Sequence, residues 1–320
     1  MKELIENAFT GVNIIPTVLL ILSLILLTSC VNNNQEEVTV IAPSGTPSLA
    51  LSHYFSTHDF LTKYEIVAGS DPLVSAFNNK THDIIVAPVN LGAKLYKVNG
   101  NYVHYKTFVW GNTYIVSKNP INSIYDLEGK DITAFGQTSI PGIVLRALLK
   151  YYNVNPNVTY VDDVSTANAL LMSNKAEITL TAEPSLSKIN KKGNLYVLDL
   201  QDLWKEMTKS TSYPQAAIFV LKDKINNETI LKHLKDIEYS INKTTDTKIT
   251  ASLAVKIDQT FEKLGVDVLS KAIPNCNYGL VVDEQTPIEN YFKELEKLGL
   301  SQMYGGTLPD EGFYFKHYQK

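Results

Sequence analysis

At 320 residues, with 44% hydrophobic and 19% charged side chains, the chain is too apolar to remain disordered and long enough to bury a core in each of two lobes. A net charge of −4 argues against nucleic acid as a partner, because the basic surface that phosphates need is missing. Two cysteines, Cys30 and Cys276, rule out a disulfide scaffold, so stability must come from packing.

In chain order, the first feature is the apolar run Val18–Leu27, which is shorter than the ~20 residues of a spanning helix and suits a secretory leader. It ends in Leu27-Thr-Ser-Cys30, which resembles a bacterial lipobox. The resemblance implies cleavage after residue 29 and lipid on Cys30, holding the protein on the outer face of the cell membrane. One departure is the leader's start, where Lys2 faces Glu3 and Glu6 instead of a basic segment. Residues 31–37 are polar and read as a tether.

From Val38 onward, short β-branched runs alternate with helical periodicities, the signature of an α/β protein. Strands are expected at Val38–Pro43, ending at Ser70, and ending at Asn90, each followed by a helix. Tyr102–Lys118 is too long and too alternating for one strand, and reads as a strand leaving one sheet for another. A second series follows, with strands at Asp131, Asn157, Glu177 and Leu195, and Tyr213–Lys224 reads as the return. After Asn227 the pattern is helical. The expected architecture is two lobes joined by two strand crossings, with residues 38–117 and 218–320 in the first lobe and 118–217 inserted as the second. Ligands of such sheets bind beyond the carboxyl ends of the strands, which places the cleft between the lobes.

Two strand-to-helix junctions carry the candidate chemistry. In Pro43-Ser-Gly-Thr-Pro47, Ser44 or Thr46 is expected to cap a helix that Pro47 opens; in Gly136-Gln-Thr-Ser-Ile-Pro141, Thr138 or Ser139 takes that role. Helix starts offer unpaired N–H groups to a polar or anionic ligand, and glycines such as Gly45 let it approach the backbone. Such ends contribute only ~0.3–2 kcal/mol each toward an anion, whereas micromolar binding needs ~8. The remaining contacts are expected from other strand ends: Ser70, Asn90, Trp110, Asn112, Gln137, Glu183 and Tyr213. Trp110 and Tyr213 are candidates to sandwich a planar ligand, and Glu183 to accept from an amine. Ser, Thr, Gly and Pro at such junctions are also ordinary turn and cap residues, Trp110 and Tyr213 suit a core, and Cys276 reads as a buried small hydrophobe.

Enzyme, cofactor and metal motifs are not found. The six histidines form no HxH or HExxH spacing, and no CxxC, P-loop, GxGxxG or GxSxG occurs. Arg146 is the sole arginine among 29 basic residues, so bidentate guanidinium recognition of an anion has at most one source.

Taken together, Val40–Leu51, Leu127–Val154, Thr181–Lys188 and the tail Tyr304–Phe315 make the chain after Cys30 resemble the solute-binding lipoproteins of ABC importers. The likeness is to the group that binds nitrate, sulfonates, taurine or thiamine precursors and has the type II periplasmic-binding-protein fold. It implies a non-enzymatic protein that captures a small organic solute, planar or anionic, and delivers it to a permease. It also implies that Ser44, Gly45, Thr46, Gln137, Thr138, Ser139 and Glu183 lie at the cleft. Gln137 and Ile140 depart from the small or polar residues common in that group, so the ligand does not carry over. Enzymes on the same fold and a sensory or partner-binding lipoprotein are the alternatives.

Overall fold

Three β-branched runs open the folded chain as β1 (Val38–Pro43), β2 (Thr62–Val67) and β3 (Ile84–Pro88). Parallel neighbours need helical crossovers, and α1 (Thr46–Ala50), α2 (Ser52–Ser56), α3 (Asp71–Asn79) and α4 (Val89–Asn99) lie between or after these strands. This computed structural model describes residues 37–57, 62–210 and 212–318. The expected leader, Cys30 and the tether up to residue 36 fall outside the described residues.

The chain continues through β4 (Tyr102–Val109), β5 (Thr113–Ser117), β6 (Asp131–Phe135), α5 (Ile140–Tyr152), β7 (Asn157–Val161) and α6 (Val164–Met172). It then forms β8 (Ile178–Ala182), α7 (Ser185–Ile189), β9 (Tyr196–Asp199), α8 (Leu200–Thr208) and β10 (Ala216–Leu221). Helices close the fold: α9 (Glu228–Asn242), α10 (Thr247–Ile257), α11 (Gln259–Leu264), α12 (Val266–Ala272) and α13 (Gln285–Lys297).

The strands form two five-stranded sheets, ordered β2-β1-β3-β10-β4 and β7-β6-β8-β5-β9. Each has three parallel strands followed by antiparallel pairings, through β10 in the first sheet and β5 in the second. Each of these antiparallel strands enters from the other half of the molecule, which is the expected two-lobed α/β arrangement with two crossings.

The crossings fall earlier than their sequence positions predict. β5 pairs with β8 from Thr113 opposite Ala182, so residues 113–117 belong to the second sheet and the switch occurs at Trp110–Asn112. On the return, Ala216 already pairs with Pro88, so Ser212–Gln215 carry that crossing. The reason is that apolar alternation continues through both strands without a break. Only Gly111, at φ 82°, marks the bend.

One apolar cluster runs through both halves, from Ile85 and Ala87 of the first sheet to Ile115 and Leu180 of the second, with Trp204, Tyr213, Tyr291 and Phe292 between them. A second cluster covers the other face of the first sheet. The C-terminal segment folds back on this body: Tyr304 stacks on Phe292 at 4.2 Å and Tyr314 bridges to His104. Cys276 is buried and free, as its reading as a small hydrophobe predicts.

Candidate functional site

Both sheets direct the carboxyl ends of their parallel strands at one cleft, which holds two adjoining cavities of about 460 and 320 Å3. The loop after β1 supplies Ser44 and, in the smaller cavity, Gly45 and Thr46, and the loop after β2 supplies Gly69 and Ser70. From the second sheet come Gln137, Thr138 and Ser139 after β6 and Glu183 after β8. Several residues went unnoticed in the sequence: Phe135, Tyr160, Asp162, Asp163 and Gln215 also line the cleft. Applying the strand-end rule to Tyr160–Val164, a strand end directly before a helix, identifies three of them.

The two junctions are built differently from their sequence reading. Gly45, not Ser44 or Thr46, occupies the cap position of α1, with φ 109° and no side-chain capping bond. The Ser44 hydroxyl donates instead to Asp258 Oδ2 at 2.9 Å. α1 is only five residues long, too short to build an appreciable dipole. At the other junction Ser139 does occupy the cap position of α5, yet its hydroxyl turns back to the Gly136 carbonyl at 3.3 Å. That carbonyl also accepts from the Ser139 and Gly142 N–H groups, at 3.0 and 3.2 Å. The loop thus satisfies donors at the start of α5 that were expected to face a ligand.

Thr46 joins the halves. Its buried hydroxyl donates to the Glu183 carbonyl at 2.7 Å and accepts from Asn112 Nδ2, while the Thr46 carbonyl accepts from the Tyr278 hydroxyl at 2.8 Å. Asn112 is 1% exposed, lines the smaller cavity, and has an Oδ1 without a protein partner. The Glu183 carboxylate, 5% exposed, accepts from the Ser187 N–H and hydroxyl at 3.1 and 2.9 Å. Burial pushes its carboxyl above the usual carboxylate range, against the opposing pull of those donors.

Three candidates lie away from the cavity. Asn90 is buried, and its amide donates to the carbonyls of Thr138 and Met303 at 3.2 and 3.0 Å, a second link across the halves. Trp110 donates to the Gly279 carbonyl at 2.9 Å and lines a separate depression with Asn277 and Pro287. Tyr213 is 0% exposed, edge-on to Trp204 at 5.6 Å, and its hydroxyl donates to Gln201 at 2.5 Å. It has no face for a ligand, so the expected aromatic sandwich does not exist. Both aromatics were read from their place beside a crossing, but packing encloses Tyr213 and Trp110 faces the separate depression.

Among the described residues the cleft lining carries three carboxylates, Asp162, Asp163 and Glu183, and no lysine, arginine or histidine. Arg146 is engaged nearby, its guanidinium donating to the Gln137 carbonyl at 2.7 Å. Among the described residues no group of three or more His, Cys, Asp or Glu is placed to hold a metal ion, and no helix is long and apolar enough to cross a membrane.

No protein-family model matches the chain, and no curated protein matches it in sequence. Solved structures do resemble it. An ABC transporter protein from Parabacteroides distasonis superposes with a TM-score of 0.72 at 20% identity, covering 87% of this chain and 98% of that one. The ligand-binding component of an ABC-type import system from Staphylococcus aureus, solved with zinc bound, gives 0.66 at 14% identity over 87% and 98%. The periplasmic aliphatic sulphonate binding protein of Escherichia coli gives 0.65 at 14% identity over 85% and 92%. The protein therefore has the fold of periplasmic solute-binding proteins.

Proposed function

We propose that the protein is the extracytoplasmic solute-binding component of an ABC importer, capturing one small organic solute between its two halves and presenting it to a permease. The observation that carries this reading is the position of the cleft: loops from the carboxyl ends of both parallel sets converge on one cavity, and two crossings join the walls. Hinge closure about Trp110–Asn112 and Ser212–Gln215 buries the solute and gives the permease a shape to recognise. Ser44, Gly45, Ser70, Gln137, Thr138, Ser139 and Glu183 are the contact residues in this reading, with Thr46 and Asn112 setting the floor. Lipid on Cys30 anchors the body to the outer face of the membrane. The fold shared with solute-binding proteins of import systems supports the role, and no cofactor or catalytic group is required by it.

Thermal-shift screening against sulfonates, nitrate, carboxylates, pyrimidines and amines, followed by calorimetry, tests the reading. The expected result is a stoichiometric solute whose binding is abolished by Ser70→Trp, which fills the larger cavity. Undiminished affinity in that variant places the site elsewhere and refutes the cleft.

A further inference from the structure

From the lining of the cleft, and resting on the solute-capture reading, we infer that the solute is a cation or a donor-rich nitrogen compound, such as an amine, amidine or aminated heterocycle, held by Asp163 and Glu183. Three observations carry this. The lining presents Asp162, Asp163 and Glu183 with no cation among its side chains, and none of the three pairs with a lysine, arginine or histidine among the described residues. Lys188 and Lys263 line the neighbouring cavity beyond Ser165 and Thr260 without reaching these carboxylates.

The second observation is independent of charge. Asn112, 1% exposed, lines the smaller cavity and Gln215 lines both, and Asn112 Oδ1 and Gln215 Oε1 are buried without a hydrogen-bond donor. The orientation of the Asn112 amide follows from its neighbours, because its Nδ2 faces the Thr46 hydroxyl and the Glu183 carbonyl. Buried acceptors without donors are costly, so the missing partner is a donor that the solute brings.

The third observation concerns what would oppose a cation. The start of α5 has the Gly136 carbonyl folded onto its Ser139 and Gly142 N–H groups, and α1 is a single short turn region, so fewer donors are left to favour an anion. A sulfonate or nitrate would meet carboxylates and acceptors in the lining, and the cation nearby, Arg146, is turned to the Gln137 carbonyl.

The test uses the full chain in mild detergent with two matched probe sets: benzamidine, putrescine and 4-aminopyridine against benzoate, succinate and benzenesulfonate. At least one cation is expected to raise the melting temperature and to bind with 1:1 stoichiometry. Its affinity falls about tenfold or more in Asp163→Asn combined with Glu183→Gln, and weakens as salt rises. Asparagine keeps the helix cap that Asp163 makes to the Thr166 N–H, and glutamine keeps an acceptor for Ser187, so both folds persist. Unchanged affinity in the double variant overturns the inference. Binding of an anion while all three cations are silent at about 10 mM, enough to fill a millimolar site, overturns it and leaves solute capture standing. Silence of both sets also overturns it, and solute capture is then decided by the broader screen and Ser70→Trp.

Discussion

Gly142→Ala sets two physical effects against each other in the wall of the cleft. Helix propensity alone favours the alanine by ~1 kcal/mol, since Gly142 lies in the first turn of α5. Packing opposes it: a Cβ on Gly142 would stand 2.3 Å from the Gly136 carbonyl oxygen, 2.8 Å from its carbon and 3.0 Å from Gln137 Cα. All three are backbone atoms, so no rotamer change relieves the contact, and the loop that presents Gln137–Ser139 must retreat by roughly 1 Å to reach ordinary van der Waals distance. The Arg146 guanidinium holds that loop through the Gln137 carbonyl. Overpacking of this kind costs ~1–3 kcal/mol, and its upper part applies because the contact is with backbone. After the propensity gain the net loss is ~1–2 kcal/mol, a fall in Tm of roughly 2–3 °C for a chain of this size. Scanning calorimetry of variant and wild type measures it, and any solute found for the cleft should bind more weakly as the wall moves. A variant that melts at or above wild type refutes the argument.

Thr46→Val removes the hydroxyl that donates to the Glu183 carbonyl and deprives Asn112 of an acceptor. A loss of about 1–3 kcal/mol is expected in urea titration, and an unaltered midpoint would show that this link contributes nothing. Trp110→Ala should lower stability and remove no solute contact, because the indole lies outside the cleft, so affinity changes only through the hinge and by a small factor; loss of binding at full stability would return it to the site. Burial pushes the Glu284 carboxyl up to about 7, although the Thr107 N–H favours its charged form. The folded state thus holds a proton that the unfolded chain has released, so stability falls as pH rises from about 4.5 to about 7. Glu284→Gln should therefore gain on wild type across that window, by on the order of 2–4 kcal/mol, and a difference that does not vary with pH contradicts this. Burial holds His104 down at about 3, so its contribution runs the other way, with stability lost as pH falls from 6.5 toward 3. His104→Phe should flatten that acid limb in denaturation curves, and an unchanged limb would mean the ring is solvated.

Much of the fold was legible because it rests on local periodicity. β-branched runs followed by helical spacing specify parallel strands and crossovers whatever the rest of the chain does, and the loops of Gly45 after β1 and Gly136 after β6 stand at the cleft where strand-end logic places them. Hidden from that reading was the partner of each polar side chain. Thr46 looked like a cap because caps are local, yet its hydroxyl is taken by a carbonyl 137 residues away. Tyr213 looked like a ligand wall because it flanks a crossing, yet packing on Trp204 encloses it. The change of sheet at Gly111 was blurred because β4 and β5 are both largely buried, and alternation cannot distinguish two sheets that bury their strands equally. Residue identity determines which turns, strands and helices form. Which of their polar atoms remain free to meet a solute depends on the contacts made when distant loops are brought together, and those are a property of the tertiary structure alone.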